Sequence, residues 1–167
     1  MDEKADAAIA PRDWFAALTA RIPGFVGYLD KDQRRIADKT VRDTMVAKID
    51  DLRDILSDVI EQANDAETSV VDDLSKILRT MNELRDKVEF LGYGDTTFFT
   101  DESLDPAFLS GVYQLETQIY DNLDELETAF ESPKDLGRRD TLKGIRGRLE
   151  VISQDFAARK ETLKSPR

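Results

Sequence analysis

Two residue types that carry much of protein chemistry are missing from this chain of 167 residues, which contains neither cysteine nor histidine. Zinc sites built on either residue, iron–sulfur clusters, haem ligation by either residue and thiol nucleophiles are therefore excluded. The Ser-His-Asp triad and the Glu-x-x-His motif of di-iron bundles are excluded for the same reason. Carboxylates are the most abundant of the remaining groups that could carry acid–base chemistry.

Carboxylates are abundant, since Asp and Glu total 35 against 24 Lys and Arg, and the net charge is −11. A catalytic pair needs two carboxyl groups in a dry cleft, whereas the sequence shows only the spacing of solvent-facing positions. The calcium-loop pattern D-x-D-x-D-G is absent. We therefore expect a protein that is not an enzyme, with no catalytic or metal-binding residues and no cofactor. The negative charge argues against nucleic-acid binding, which depends on Lys and Arg.

Apolar residues recur at intervals of three and four, the spacing of helices that bury one face. From Val70 to Leu91 the alternation of four and three is unbroken over three heptads, as in coiled coils. No strand pattern of useful length is present. The patterns predict long helices over residues 30–63, 68–91, 105–131 and 133–163, after a short amphipathic helix from about Pro11 to Arg21.

Turn residues mark the ends of these helices. Asp30 with Gln33 has the pattern of a capping box, Gly92 and Gly94 suit the end of the second long helix, and Pro133 suits the first position of the last helix. Short links favour antiparallel neighbours. We predict an all-α, antiparallel four-helix bundle over residues 30–164, preceded by a tail, short helix and loop over residues 1–29. An elongated hairpin that dimerises is the alternative, so a homo-oligomer stays open.

No targeting or membrane-spanning segment is evident. The first ten residues are acidic and contain no long apolar run, unlike a secretory signal. The longest apolar-leaning stretch, residues 14–29, is interrupted by Arg21 and Pro23, whereas a spanning helix needs roughly 20 apolar residues. We expect a cytoplasmic protein, with peripheral attachment to the inner face of the membrane as an open alternative.

Charge is separated along the sequence. Residues 88–133 contain 11 acidic and no basic residues, whereas residues 134–167 contain 10 basic and 5 acidic residues. An acidic helix followed by a basic one favours their being neighbours. Three interpretations remain open: solvent-facing surfaces of a bundle, a basic helix that binds an anionic surface, and an acidic helix that mimics DNA or recruits a basic partner.

Two aromatic segments are candidates for a partner-binding surface. One is the short amphipathic helix with the loop after it, and the other is the connection between the second and third long helices. Their candidate residues are Trp14, Phe15, Leu18, Phe25, Tyr28, Tyr93, Phe98 and Phe99. Packing against the bundle, insertion at a membrane interface and a small-molecule pocket near Tyr93–Phe99 are the competing interpretations.

A glycine pair, in Gly144-Ile145-Arg146-Gly147, matches the GXXG loop of KH domains. That loop clamps a nucleic-acid backbone, but a KH domain also needs strands, which the sequence does not predict. Glycine inside a helix is unfavourable by about 1 kcal/mol relative to alanine. We therefore expect these glycines to permit a kink or a close approach of helices.

Several short strings resemble a largely uncharacterised bacterial helical family. Its members share an IPG-x-x-GY opening, an RR-x-AD helix start and a glycine–aromatic turn ending in FF. The matching strings are Ile22-Pro23-Gly24-Phe25-Val26-Gly27-Tyr28, Arg34-Arg35-Ile36-Ala37-Asp38, Gly92-Tyr93-Gly94 with Phe98-Phe99, Leu115-Glu116 and Tyr120-Asp121. The resemblance covers residues 22–131. Genes of that family lie near stomatin/prohibitin/flotillin-type and phage-shock-protein-A-like genes, which implies an accessory role in membrane stress or membrane microdomains.

The resulting prediction is a non-enzymatic helical interaction or scaffold protein. It would bind a protein partner through residues 14–28 and the aromatic turn. The alternative is a peripheral membrane protein that uses the N-terminal amphipathic segment and the basic last helix.

Overall fold

A computed structural model describes residues 13–63 and 68–166 of the protein, and this part of the chain is built from helices. Two short 3₁₀ turns, Lys31–Gln33 and Pro133–Asp135, precede α2 and α5. The helices are α1 (Trp14–Thr19), α2 (Arg34–Gln62), α3 (Thr68–Glu89), α4 (Pro106–Phe130) and α5 (Arg139–Lys164). The described residues include no strand, and the all-α bundle is confirmed. The acidic first ten residues, the predicted helix start at Pro11 and the link at 64–67 lie outside the described residues.

The helices α2 and α3 form an antiparallel hairpin. Arg85 Nε donates to Asp50 Oδ1 at 2.7 Å, and Arg42 Nη1 donates to the carbonyl of Val88 at 3.0 Å. Moving forward along α2 thus means moving backward along α3. This is the arrangement that short links favour.

The helices α4 and α5 form a second antiparallel hairpin. Arg159 Nε donates to Glu116 Oε1 at 2.8 Å near one end, and Arg148 Nη1 donates to Asn122 Oδ1 at 3.0 Å farther along. Arg148 also pairs with Glu125. The acidic and basic helices are therefore neighbours, as the separation of charge predicts.

The two hairpins lie side by side with parallel helices in contact. Tyr120 Oη donates to the carbonyl of Val41 at 2.7 Å, and Lys48 Nζ to Glu127 Oε1 at 2.9 Å. Both partners advance by seven residues, so α2 and α4 run in the same direction. The helices α3 and α5 are also in contact, and they too run in the same direction. Since α3 and α4 are diagonal in this arrangement, residues 90–105 cross one end of the bundle. We call this the loop end.

The core contains the apolar positions of the heptad patterns. The predicted row on α3 is buried from Leu74 to Val88, and its end positions Val70 and Leu91 are partly buried. The other long helices contribute equivalent rows. Two of these rows are Leu74, Ile77, Met81, Leu84 and Val88 on α3, and Leu142, Ile145, Leu149, Ile152 and Phe156 on α5. Burial of these side chains is the main favourable term for such a bundle.

The predicted capping box at Asp30 does not form. The Asp30 carboxylate accepts from the backbone N–H of Asp32 at 3.0 Å and begins the 3₁₀ turn. Gln33 precedes α2 without a side-chain hydrogen bond. Because the Asp30 carboxylate already accepts a hydrogen bond within the tight turn, the reciprocal pair of hydrogen bonds that defines a capping box is not formed.

Two other predicted ends differ from those observed. Pro133 begins a 3₁₀ turn and α5 begins only at Arg139, because the intervening Leu136 is buried in the core. The helix α3 ends at Glu89, before either predicted glycine. Arg42 donates to the carbonyls of Val88 and Glu89 at 3.0 Å, so a guanidinium satisfies the terminal carbonyls instead of a glycine turn.

Gly144 and Gly147 lie on the exposed side of α5, where the methyl group of an alanine would meet no atom of another element within 4 Å. They therefore mediate no close helix approach. We expect Gly144→Ala and Gly147→Ala each to raise the free energy of unfolding by up to about 1 kcal/mol, measured by urea denaturation. Gly137→Ala is the contrasting variant, because its Cβ would lie 3.0 Å from Val70 Cγ1. Equal gains in all three variants would contradict this account.

Candidate functional site

Polar side chains from α2, α4 and α5 meet at the loop end with side chains from two loops. One loop joins α1 to α2, and the other is the connection between α3 and α4. The buried network consists of Tyr28, Asp38, Tyr93, Glu116 and Arg159. Four of the five are buried and Tyr93 is partly exposed. Such groups are tolerated inside a protein only when they pair with one another.

Arg159 is the centre of the buried network. Its guanidinium donates to Glu116 Oε1 at 2.8 Å and to Asp38 Oδ1 at 2.7 Å. It also donates to the hydroxyls of Tyr93 at 2.7 Å and Tyr28 at 3.1 Å. These hydroxyls in turn donate to Asp38 and Glu116, respectively. One side chain thus joins α5 to α2, α4 and the two loops.

The two carboxylates of the buried network have opposite pKa shifts. Burial raises the pKa of Glu116 and outweighs the attraction of Arg159 and the hydrogen bond from Tyr28. Burial also opposes ionisation of Asp38, but the positive charges of Arg159 and Arg42 and the hydrogen bonds from Tyr93 and Arg159 prevail and lower its pKa. Asp38 is the better-paired carboxylate because Arg42 Nε contacts its second oxygen at 3.0 Å.

We expect these shifts to give opposite pH trends in matched amide variants. A lowered pKa means that the Asp38 contribution is present above its ordinary pKa and is lost as pH falls through the folded value. The deficit of Asp38→Asn, about 3 kcal/mol at pH 7, should therefore shrink on acidification. The raised pKa of Glu116 means that stability falls as pH rises, so the deficit of Glu116→Gln should grow on acidification. Urea denaturation between about pH 3 and about pH 7 measures both trends, and parallel trends would contradict the assignment.

Arg34 is a second buried guanidinium beside the buried network. Its Nε donates to the carbonyl of Tyr28 at 2.8 Å. Its Nη1 donates to the carbonyls of Phe98 at 3.0 Å and Asp101 at 2.6 Å. Arg34 therefore binds the loop before α2 to the connection that crosses the bundle end.

Four charged residues of this region, Arg34, Asp38, Glu116 and Arg159, were not predicted as site residues. The signal that would have found three of them is the continuation of the heptad seams. The apolar row of α2 begins with Met45, Ile49, Leu52 and Leu56. Extending it back from Met45 by steps of four, three and four reaches Val41, Asp38 and Arg34. One further step of three beyond Phe156 in the α5 row reaches Arg159. Charged residues at core positions indicate a buried polar cluster.

Most of the eight predicted partner-binding residues belong to the core. Leu18, Phe25, Tyr28, Phe98 and Phe99 are buried. Trp14 and Tyr93 are partly exposed, and Phe15 is 39% exposed. The eight residues therefore do not form one free surface, and packing on the bundle describes the five buried ones.

The helix α1 covers α4 with its apolar face. The Phe15 ring lies 5.3 Å from that of Tyr113, and Leu18 is buried. Arg21 lies 3.6 Å from Asp124 and also pairs with Asp121. The face that would enter a membrane is thus occupied by α4. Among the described residues, no helix has both the length and the apolar character needed to span a membrane.

A cleft of about 370 Å³ lies near Tyr93, where the small-molecule interpretation would place a ligand. Its basic residues are Arg35, Lys39 and Arg42. The Arg35 guanidinium lies 4.5 Å from the centre of the Phe99 ring, and Arg42 is bound to Asp38 and to the end of α3. Both guanidinium groups are thus already bound to other residues of the protein.

The buried network joins secondary-structure elements through ion pairs and hydrogen bonds. In the described ranges, no group of three or more acidic side chains could hold a metal ion. No family model, curated protein or solved structure matches the chain. The geometry is therefore the basis for a functional proposal.

Proposed function

We propose that this protein is a non-enzymatic interaction or scaffold protein whose loop end binds a protein partner. The observation that carries the proposal is a set of exposed apolar side chains on a backbone that buried arginines hold in place. Val26 is 55% exposed, Leu29 76% and Ile36 58%. Rigid presentation of such groups lowers the entropic cost of binding.

The loop that carries Val26 and Leu29 is fixed from within. Its neighbouring Phe25 and Tyr28 are buried, and the Tyr28 backbone N–H donates to Tyr113 Oη at 2.8 Å. Gly27 has φ +78°, and a Cβ there would lie 2.7 Å from Tyr113 Oη. The loop conformation thus depends on glycine at this position. The exposed side chains are consequently held outward rather than free to collapse onto the bundle.

The resemblance to the bacterial helical family adds a cellular setting to this proposal. Five residues with buried polar roles at the loop end, namely Tyr28, Arg34, Asp38, Tyr93 and Glu116, belong to the strings that carry it. On this basis the proposed partner belongs to a membrane-stress or membrane-microdomain system, and the protein is cytoplasmic, at or near the inner face of the membrane.

Site-specific photo-crosslinking in the native host tests the proposal. A benzoylphenylalanine at Leu29 should give a crosslinked protein partner. The same group at Asp58, an exposed position near the far end of α2, should not. Leu29→Asp should abolish the crosslink formed from Ile36 while leaving the far-ultraviolet circular dichroism unchanged. Absence of adducts from Val26, Leu29 and Ile36 alike would overturn the proposal.

The alternative, a peripheral membrane protein, makes a different prediction for Trp14, the single tryptophan. If the N-terminal segment inserts, α1 must leave α4, and Trp14 emission should shift to the blue on adding anionic vesicles. If the loop end binds a protein partner instead, the emission wavelength of Trp14 should not change when vesicles are added. Co-sedimentation at low and high salt provides the second readout, because attraction between exposed charges is screened by salt.

A further inference from the structure

A groove follows the seam between α3 and α5, on a different face from the residues of the proposed loop-end site. Two clefts of about 420 and 360 Å³ lie along it and share Ser153 in their walls. Lys76 and Arg146 line the first cleft, and Phe90 and Lys160 line the second. Residues 76–90 of a helix span roughly 20 Å, so the groove has the length of a short helix.

The groove is basic although the protein is acidic. Among the residues that line the two clefts, Lys76, Lys87, Arg146 and Lys160 are basic and Glu150 alone is acidic. The chain as a whole carries −11. Arg146 pairs with a carboxylate of α3 at 3.0 Å, but the three lysine ammonium groups form no ion pair with any residue that the structure describes. Free cations along one groove favour an anionic partner.

The groove also offers apolar contacts. Its floor is formed by the edges of core residues from both helices, Ile77 and Leu84 on α3 and Leu149 and Phe156 on α5. At the end of the groove next to the C-terminus of α3, Phe90 is 76% exposed. An exposed aromatic residue next to a recessed floor is typical of a protein interface.

We infer that this groove binds an acidic amphipathic helix of a partner protein. Apolar side chains at positions i, i+4 and i+7 of such a helix would face the floor and Phe90, and its carboxylates would face Lys76, Lys87 and Lys160. This inference rests on the proposed function in so far as it assigns a protein partner. A second copy of the chain bound groove to groove is disfavoured, because a two-fold axis would bring like charges together.

The test uses two labelled synthetic peptides of about 15 residues, the length that fills the groove. Both carry leucine at the same i, i+4, i+7 and i+11 positions, and the other positions are mainly glutamate in one and lysine in the other. Fluorescence anisotropy should show saturable binding of the glutamate peptide alone. In ¹⁵N-labelled protein, shift changes should cluster at residues 76–92 and 146–160.

The paired variant Lys87→Glu/Lys160→Glu should weaken binding of the glutamate peptide by about tenfold or more, and Phe90→Ala should weaken it by about as much. The control Lys134→Glu/Lys143→Glu makes the same change of net charge at exposed positions outside the groove and should leave binding unchanged. None of these changes replaces Val26, Leu29 or Ile36, the exposed residues of the proposed loop-end site, so crosslinking from Leu29 should persist in every variant. This separates failure of the groove from failure of the proposed function.

Three results would overturn the inference. One is equal binding of both peptides or equal weakening by the control pair, since neither fits a basic groove. Another is the absence of peptide binding together with sedimentation on anionic vesicles that is lost in Lys87→Glu/Lys160→Glu, which would assign the groove to a membrane surface. The third is concentration-dependent self-association of the unaltered protein that Phe90→Ala abolishes, which would assign the groove to a second copy of the chain.

Discussion

Arg159→Met is expected to lower the free energy of unfolding by about 3–5 kcal/mol, because removing one partner of a buried ion pair leaves uncompensated charge. The guanidinium is fully buried and contacts Glu116, Asp38 and two tyrosine hydroxyls. Without the guanidinium, the carboxylates of Glu116 and Asp38 lose the cation that they share and repel each other. Urea denaturation followed by circular dichroism at pH 7 measures the change.

Arg148→Met is the matched control on the same helix. Arg148 pairs with Glu125 on a partly exposed surface, and such pairs contribute about 0–1 kcal/mol. A second variant separates charge from packing. Adding Glu116→Gln to Arg159→Met should recover part of the loss, since it removes one unpaired buried charge and the two effects are coupled. Equal losses for Arg159→Met and Arg148→Met would refute the role assigned to the buried network.

Arg34→Met is expected to have an effect of similar kind at the loops, with a loss of about 3 kcal/mol or more. Three carbonyls in two separate loops accept hydrogen bonds from Arg34, and each buried acceptor left unpaired costs about 1–3 kcal/mol. The loss should also loosen the connection that crosses the bundle end. Limited proteolysis with chymotrypsin, which cuts after residues such as Phe98 and Phe99, measures this opening directly; trypsin does not, because residues 88–133 contain no Lys or Arg.

The neighbouring Arg35→Met is the control for Arg34→Met. Arg35 is exposed and stacks on the Phe99 ring, a contact worth about 0.5–1 kcal/mol at an exposed site. Arg34→Lys should be intermediate, because an ammonium cannot reproduce the fork that reaches both loops. A loop that stays resistant to chymotrypsin in Arg34→Met would show that other contacts hold it.

The hairpins and the core were predictable from local pattern. The heptad row from Leu74 to Val88 is buried as expected, because an amphipathic helix can hide only the face on which its apolar residues recur. The separation of charge similarly predicted that α4 and α5 are neighbours. The way the hairpins associate was not predictable: the connection over residues 90–105 is long enough to cross the bundle, and its path depends on contacts distant in sequence.

The partner-binding residues show the same limit. An aromatic side chain such as Phe98 or Tyr28 suits a docking surface and a core equally well, and only the position of α4 and the loops decides between them. The exposed Leu29 of the loop end carries no local signal that distinguishes it from a core residue, whereas Ile36 falls between the seam positions Arg34 and Asp38. Exposure depends on which neighbours arrive from elsewhere in the chain.

The helical class, the core positions of the seams and the exclusion of histidine and cysteine chemistry could all be predicted from the amino-acid sequence. Those properties follow from composition and from the period of the helix, which are local. The meeting of Arg34, Asp38, Glu116 and Arg159 depends on how the hairpins pack, because these residues lie on three helices and converge through a crossing connection. A buried charge is tolerable only with partners, and one partner of Arg159, Asp38, lies 121 residues away along the chain.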